Sequence, residues 1–198
     1  MLGSAYKSEK HDRRRGEVLD ATAAVFAEKG FHNARLKDIA ARLNLLPGSL
    51  YHYLDSKEQA LIEVCARSGR SYIEAMREVL RREAPVDERI LQAIRNHLRN
   101  NRRELVYSFA FRHKDLPETA LRELAAMSGE YQTMWEDLLR QGVAKGELPA
   151  DLDCHVTAVG LLSMCNGAID WYESKPEAEI EAIADRFAAL VNSGLMPR

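Results

Sequence analysis

The spacing of hydrophobic residues predicts a chain built almost wholly of helices. A first helix is expected over about Asp12 to Lys29, closing at Gly30. A second stripe predicts a helix of about two turns and consists of Leu36, Ile39, Ala40 and Leu43. Asn44 then supplies a turn, because Asn tolerates the left-handed backbone that leaves a helix. The next short helix should run from Pro47 to about Tyr53, since proline suits a first helical position.

A long helix follows, opened by the capping pair Ser56 and Gln59 and ended by Ala84-Pro85. Its predicted buried face consists of Leu61, Val64, Cys65, Ser68, Tyr72, Met76 and Val79. Pro117 and Pro149 mark later helix boundaries. Between them runs a stripe that ends near Gly146 and consists of Leu121, Leu124, Ser128, Tyr131, Trp135, Leu138 and Gly142.

The last two helices are expected over Val156 to Trp171 and Glu177 to Asn192. The first of them is apolar nearly all round, so it should be buried on more than one side, and a partner subunit is the natural second side. No alternating strand pattern or hairpin dipeptide is present after residue 57. The sequence therefore predicts an all-α fold of about nine helices.

Two short helices around a turn, between residues 30 and 58, are typical of a helix-turn-helix DNA-binding motif. Leu50 and Leu54 should hold the second helix to the domain. The residues left for the major groove are Gly48, Ser49, Tyr51, His52 and Tyr53. The alternative is that the two tyrosines are core aromatics. Lys57 is poorly placed for its helix dipole, so a phosphate contact explains it better than stability, and a solvated surface lysine is the alternative.

These residues carry a resemblance to the TetR family of bacterial transcriptional regulators. The matching segments are Phe26 with Gly30-Phe31, Asp38-Ile39-Ala40, Gly48-Ser49-Leu50-Tyr51-His52-Tyr53 and Ser56-Lys57-Glu58. They cover about the first third of the chain. The resemblance implies a helix-turn-helix DNA-binding domain over residues 1–57 and a larger helical ligand-binding and dimerisation domain over 58–198. It implies a homodimeric regulator, most simply a repressor, that binds a double-stranded operator and a small-molecule effector.

The chain departs from the family pattern at the starts of both short helices. Arg35 stands where the family usually has Ser or Thr, and Leu46 stands where it usually has Ser. Both caps should therefore be weakened, with Asn33 a substitute for the first. The resemblance implies that Arg35, with the neighbouring Lys37, contacts DNA, whereas Leu46 is expected to pack.

Charge is distributed unevenly along the chain. Residues 1–57 hold ten Lys and Arg against seven Asp and Glu, a net charge of +3, and since the whole chain is −2 the other 141 residues carry −5. The basic side chains at the N-terminus are Lys7, Lys10, His11, Arg13, Arg14 and Arg15. They are expected to form an arm along the DNA backbone or in the minor groove, and a solvated tail is the alternative.

Aromatic and methionine side chains in the second domain are candidates for an effector pocket. They are Phe109, Phe111, Met127, Tyr131, Trp135 and Met164, with Arg112 beside them. A simple core stripe is the alternative. A weaker resemblance, to TetR regulators of fatty-acid and sterol degradation, implies an acyl-CoA or another hydrophobic effector. It is carried by Leu46 before Gly48-Ser49-Leu50-Tyr51, by Tyr131 with Trp135, by Trp171-Tyr172 and by Ile183-Ala184-Asp185.

An acyl-CoA would need cations at the pocket mouth, and the candidates are Arg102, Arg103, Arg112, His113 and Lys114. A solvated basic face is the alternative. The family resemblance also implies that the last two helices pack with their copies as a four-helix dimer interface. The residues expected there are Val159, Leu162, Ile169, Ile183, Phe187 and Leu190. An isologous dimer would address a pseudo-palindromic site.

Other classes of protein fit the sequence less well. No stretch of 18 apolar residues and no signal peptide is apparent, so a cytoplasmic protein without a membrane segment is expected. Cys65, Cys154 and Cys165 are expected to be small core residues in a reducing compartment. Catalytic and phosphate-binding motifs are missing, which argues against an enzyme and predicts neither cofactor nor metal. A helical dimeric adaptor without DNA binding is the alternative, although it would not need the Tyr51-His52-Tyr53 surface.

Overall fold

The structure, a computed structural model, describes residues 2–103, 118–168 and 175–195. These residues form helices and no strands, which confirms the predicted all-α class. The helices are α1 (Leu2–Asn33), α2 (Leu36–Arg42), α3 (Pro47–Leu50), α4 (Lys57–Arg81), α5 (Val86–Arg103), α6 (Glu118–Ala144), α7 (Cys154–Gly167) and α8 (Glu177–Leu195). None of the helices in these ranges is long and apolar enough to cross a membrane.

The described residues fall into two compact units. The N-terminal unit holds the chain through Arg67 together with residues 118–124, and the C-terminal unit holds residues 68–103, 125–168 and 175–195. Helices α4 and α6 therefore contribute residues to both units. The domain boundary expected after residue 57 stays a prediction.

Turns in the N-terminal unit occur where the sequence predicts them. Asn44 has φ 54°, the left-handed conformation that ends α2, and Gly30 interrupts α1 with φ 72° and ψ 158°. Helix α1 begins at Leu2, however, ten residues before the expected Asp12, so the N-terminal basic segment is helical and is not an extended arm. An ion pair between Arg14 and Glu17, one helical turn apart, supports the helix in this segment.

Helix α3 is shorter than predicted. It ends at Leu50, and the next three residues form turns, with the N–H of Tyr53 donating to the carbonyl of Leu50 at 2.9 Å. Gly48 and Ser49 are weak helix formers, which gives a physical reason for the short helix. Leu50 and Leu54 are buried and hold the segment to the unit, as the sequence predicts.

The amphipathic pattern of α4 is confirmed along its whole length. All seven residues of the predicted face are buried. In the C-terminal unit, α5 packs along α8, and two arginines of α5 pair with acidic residues of α8. Arg99 lies 2.6 Å from Glu181, and Arg95 lies 2.5 Å from Asp185. These pairs are partly exposed, so they orient the helices more than they stabilise them.

Arg89 is a buried arginine in the first turns of α5. Its guanidinium donates to the carbonyls of Val79 and Leu80, both at 3.2 Å, and to the side-chain oxygen of Gln141. Val79 and Leu80 lie in the last turn of α4, whose carbonyls have no partner inside the helix. The Val79 carbonyl also accepts the Arg82 N–H at 3.3 Å, and Arg89 adds a charged donor at the end of α4 and links it to α5 and α6.

Of the three cysteines, two match the expectation of core residues. Cys65 and Cys165 are buried, whereas Cys154 is half-buried. Burial raises the pKa of the Cys165 thiol to about 12, because the charged thiolate is poorly solvated there. Cys154 lies at the first residue of α7, where its side chain is only partly covered.

Candidate nucleic-acid interface and effector core

The turn-rich end of the N-terminal unit presents a polar surface above a buried base. Leu50 and Leu54 lie beneath it, while Gly48, Tyr51 and His52 are exposed. Tyr51 is 61% exposed, so it is not a core aromatic. Ser49 and Tyr53 are half-buried. The structure therefore brings the five predicted groove-facing residues together on one short segment.

Tyr53 is held by the first helix. Its ring stacks on the imidazole of His11, with centroids 5.4 Å apart and an angle of 27° between the planes. Two of the N-terminal arginines are also engaged within the chain, since Arg14 pairs with Glu17 and Arg15 lies 2.7 Å from Glu63. The side chains of Lys7 and Lys10 lie outside the described part of the structure. Among the described side chains, His11 therefore contacts the motif, whereas Arg14 and Arg15 pair within α1 and with α4.

The start of α2 is capped by an acidic residue rather than by Asn33. The carboxylate of Asp38 accepts a hydrogen bond from the backbone N–H of Arg35 at 3.0 Å and lies 3.0 Å from the ammonium of Lys29. The Lys29 contact, and then the Arg35 N–H, hold the pKa of Asp38 below its usual value. The Asn33 amide instead donates to the Lys29 carbonyl at 3.3 Å. The side chains of Arg35 and Lys37 remain exposed.

Leu46 was expected to pack, and this prediction is wrong. The residue precedes α3, makes no side-chain cap, and is 77% exposed. Its carbonyl accepts the N–H of Ser49 at 2.9 Å, so the backbone is fixed while the side chain faces outward. The apolar anchor that the motif needs is provided by Leu50 and Leu54, which leaves Leu46 without a role in the core.

Lys57 has a structural role that the sequence argument denied it. Its ammonium donates to the carbonyls of Phe31 at 2.9 Å, His32 at 3.3 Å and Ala34 at 3.3 Å, and lies 4.4 Å from the centroid of the Phe31 ring. A lysine has three N–H donors, and these three carbonyls match them. The preceding Ser56 caps α4 as predicted, accepting the N–H of Gln59 at 3.0 Å. Lys57 therefore ties the end of α1 to the start of α4.

A polar network runs from the core of the C-terminal unit to its surface, with Tyr72, His97, Asn101 and Tyr131 buried and Asn166 exposed. Tyr72 donates to the side-chain oxygen of Asn101 at 2.6 Å, and the Asn101 amide approaches the oxygen of Asn166 at 3.4 Å. His97 contacts the same Asn166 oxygen through Nε2 at 3.0 Å and the Tyr131 hydroxyl through Nδ1 at 3.2 Å. Four helices, α4 to α7, supply these side chains.

The hydrogen bonds define the protonation of His97. An amide oxygen only accepts, so Nε2 carries the proton and Nδ1 accepts from Tyr131. Burial lowers the pKa of His97 to about 4, and the Asn166 contact opposes this shift only in part. The imidazole is therefore neutral at pH 7, with one donor and one acceptor.

Two of the predicted pocket residues join this network. Tyr131 and Trp135 lie in edge contact, with ring centroids 6.4 Å apart, and Trp135 also lies edge-on to His97 at 6.5 Å. The buried indole Nε1 of Trp135 has no hydrogen-bond partner among the described residues. Met127 and Met164 are half-buried. The other predicted members, Phe109, Phe111 and Arg112, lie outside the described residues, as do His113, Lys114, Trp171, Tyr172 and the side chains of Arg102 and Arg103.

Four members of this network were not predicted from the sequence: Tyr72, His97, Asn101 and Asn166. A signal for two of them was present, because His97 and Asn101 continue the buried face of α5 that begins with Ile90 and Ile94. Polar residues on the apolar face of an amphipathic helix require partners in the core. The pattern marks a buried polar cluster without revealing its other members.

A second polar cluster joins α6 to the start of α7. Glu136 accepts hydrogen bonds from Gln132 at 3.1 Å and Arg140 at 2.5 Å, and its carboxylate lies 2.8 Å from Nδ1 of His155. The Gln132 and His155 contacts lower the pKa of Glu136 to about 2. The adjacent Cys154 thiol approaches the Leu152 carbonyl instead, at 3.7 Å. In the described ranges no group of three or more His, Cys, Asp or Glu is arranged to hold a metal.

The outer faces of α7 and α8 expose apolar side chains. Val156, Val159 and Leu190 are 63%, 40% and 68% exposed. Leu162 and Phe187 are half-buried. Ile183, expected at the dimer interface, is buried within its own unit at 8% exposure. Ile169 lies outside the described residues.

Comparisons with known proteins match both parts of the chain. Residues 18–64 match the model of bacterial regulatory proteins of the tetR family, and residues 83–195 match the tetracyclin repressor-like C-terminal domain. The HTH-type transcriptional repressor KstR2 of Rhodococcus jostii (strain RHA1) is 26% identical over 186 residues, covering 92% of this chain and 91% of that protein.

Solved structures show the same fold. The ketosteroid transcriptional regulator KstR2 of Mycobacterium tuberculosis superposes with a TM-score of 0.77 at 23% identity, covering 93% of this chain and 96% of that one. The regulator FadR of Bacillus subtilis, solved in complex with stearoyl-CoA, superposes with a TM-score of 0.74 at 21% identity. The match covers 90% of this chain and 97% of that one. The second family model alone spans more than half of the sequence. This chain therefore belongs to the TetR family and is a helix-turn-helix transcriptional regulator.

Proposed function

We propose that the protein is a homodimeric repressor that leaves a pseudo-palindromic operator when a hydrophobic effector, such as an acyl-CoA thioester, binds its C-terminal unit. The observation that carries the proposal is the exposed surface of the motif: Tyr51 and His52 face outward from a segment anchored by Leu50 and Leu54. Tyrosine and histidine supply hydrogen bonds to base edges and phosphates. A core role would have buried Tyr51.

The DNA-contacting set in this proposal lies at the starts of α2 and α3 and in the turns after α3. It consists of Arg35, Lys37, Gly48, Ser49, Tyr51, His52 and Tyr53. Arg35 and Lys37 would bind phosphates, since both side chains are exposed. Lys57 is left out, because its three donors are already matched by backbone carbonyls.

Replacing Tyr51 with alanine is expected to weaken operator binding at least about fivefold. The estimate corresponds to about 1–3 kcal/mol for one lost base contact. Because the side chain is 61% exposed, folding should be unaffected. Fluorescence anisotropy on a promoter fragment measures the affinity, while the melting temperature and the size-exclusion volume serve as controls. The Tyr51→Phe variant tests the contribution of the hydroxyl separately from that of the ring. Unchanged affinity in Tyr51→Ala would contradict the assignment of Tyr51 to DNA contact.

A dimer is proposed from the apolar exposure on α7 and α8. Val156, Val159 and Leu190 lie uncovered on helices whose opposite faces form the core of the C-terminal unit. Covering them with a second copy would remove apolar surface from water. Two-fold symmetry would then place two DNA-binding motifs on related half-sites about one helical turn or more apart.

The effector is proposed to bind near Tyr131 and Trp135. The supporting observation is the buried indole N–H of Trp135, for which no acceptor is found in the described part of the chain. A buried donor without an acceptor is costly, and a thioester or ketone oxygen would supply one. Aromatic surfaces of Tyr72 and Trp135 suit an apolar ligand body. FadR, solved with stearoyl-CoA, provides one chemical precedent on this fold.

A thermal-shift panel of stearoyl-CoA, stearate, a ketosteroid and an aromatic drug tests the effector class. Ligand at 100 times its Kd stabilises by about 2.7 kcal/mol, a rise of roughly 5–10 °C for a chain of this size. In Trp135→Phe, which keeps the ring and removes the N–H, we expect the shift from an oxygen-bearing ligand to shrink. An equal shift in both proteins would argue against a hydrogen bond from Trp135.

The regulatory step is proposed to be a population shift. The effector would favour a dimer whose two motifs are wrongly spaced for the operator. Helix α4 is the element proposed to transmit the change, because its residues belong to both units. The stabilising ligand from the panel should therefore raise the Kd for operator DNA, and tighter binding would show that it acts as a corepressor.

A further inference from the structure

Leu46 is an apolar side chain on a surface that is otherwise suited to polar contacts. It is 77% exposed, although the neighbouring Leu45 is half-buried and Leu50 is fully buried. The core therefore does not need it. An exposed leucine leaves its hydrocarbon in contact with water, so any surface that covers it with apolar atoms gains affinity.

The backbone around Leu46 is well fixed. The residue has φ −69° and ψ 142°, its carbonyl accepts the Ser49 N–H at 2.9 Å, and the preceding Leu45 N–H donates to the Ala40 carbonyl at 2.9 Å. The side chain thus leaves a backbone that is hydrogen-bonded to both α2 and α3. The next two residues, Pro47 and Gly48, are exposed and have no polar side-chain groups. Together these three residues form an apolar tip at the entrance of α3.

The chemical groups that the bases present in the major groove determine which base such an apolar tip would contact favourably. All four bases present hydrogen-bonding groups there, and thymine alone adds an apolar group, its C5-methyl. Leucine over the hydrogen-bonding groups would remove them from water without pairing them, which is unfavourable. We infer that Leu46 determines sequence specificity by packing against a thymine methyl in each half-site. This inference rests on the proposed binding to an operator.

The test begins with selection of a binding site from random duplex DNA by the full chain. Each thymine of the selected site is then replaced by deoxyuridine, which pairs identically with adenine and lacks only the methyl group. At one position per half-site we expect affinity to fall about fourfold, from about 0.8 kcal/mol for one buried methyl group. Replacing both related thymines should lower it about fifteenfold.

A double-mutant cycle with Leu46→Ser assigns the effect to this residue. The variant should bind the thymine and deoxyuridine sites with equal affinity and should melt at the wild-type temperature, because the side chain is exposed. Leu46→Met, which keeps an apolar side chain, should retain the discrimination. A persisting uridine penalty in Leu46→Ser would overturn the inference.

The outcomes also separate this inference from the proposed function. A selected site that tolerates deoxyuridine at every position, or that contains no thymine, would overturn the role of Leu46 and leave operator binding intact. Uniform weakening by Leu46→Ser on both sites would assign the side chain to the sugar-phosphate backbone, which also overturns thymine recognition. Failure of the chain to enrich any sequence would overturn operator binding and this inference together.

Discussion

Replacing Arg89 with methionine should lower the free energy of unfolding of the C-terminal unit by about 3–4 kcal/mol. Methionine retains much of the volume, so the loss comes from the hydrogen bonds that the guanidinium donates to Val79, Leu80 and Gln141. Replacing a buried charged residue together with all of its partners by apolar residues often leaves stability unchanged. Here the two carbonyls remain at the end of α4 and lose their charged donor.

Urea unfolding followed by circular dichroism measures this effect. The matched control is Arg82→Met, which changes an exposed arginine just beyond α4 and should alter stability by less than about 0.5 kcal/mol. A loss of under about 1 kcal/mol in Arg89→Met would mean that water or relaxation of α4 satisfies the carbonyls. The role assigned to Arg89 would then be wrong.

Acid should destabilise the C-terminal unit before its carboxylates titrate, because of His97. The folded-state pKa of this residue is about 4, whereas the unfolded chain keeps the ordinary value of 6.5. Between these values the unfolded state binds more protons, so stability falls as the pH is lowered from 6.5 towards 4. This difference in pKa corresponds to a loss of roughly 2–3 kcal/mol in the free energy of unfolding between pH 7 and pH 4.5.

The comparison that isolates His97 is His97→Gln, which keeps a donor and an acceptor but does not titrate. Stability measured by urea unfolding at several pH values should fall less in this variant, by roughly the same 2–3 kcal/mol. Other histidines are present in both proteins and cancel in the difference. Parallel pH profiles for the two proteins would contradict the buried neutral imidazole.

The helical framework could be predicted from the sequence where one spacing rule continues for several turns. The face of α4 from Leu61 to Val79 is buried as predicted, because seven apolar or small residues repeat at helical spacing. Gly30 and Asn44 likewise have the backbone that their residue types favour. The start of α1 was missed, since the charged N-terminal segment carries no apolar stripe and is helical nonetheless.

The candidate sites were harder to predict because their contacts join distant parts of the chain. His97 finds Tyr131 at a separation of 34 residues and Asn166 at 69, which no local pattern reveals. The helix-dipole rule relates Lys57 to its own helix alone, whereas its partners belong to the end of α1. For Leu46, residue type favoured burial, but the chain enters α3 with that side chain directed to solvent.

The contact between Lys57 and the Phe31 carbonyl joins residues 26 positions apart, and the whole helix-turn-helix segment lies between them. Helix α2 has seven residues and α3 has four, lengths at which isolated helices do not persist in water. Both therefore depend on the segment ends being held together, and we expect their hydrogen-bonded amides to exchange mainly when this larger cooperative unit opens. For a DNA-binding element this means that the protein has paid most of the conformational entropy before it meets its site.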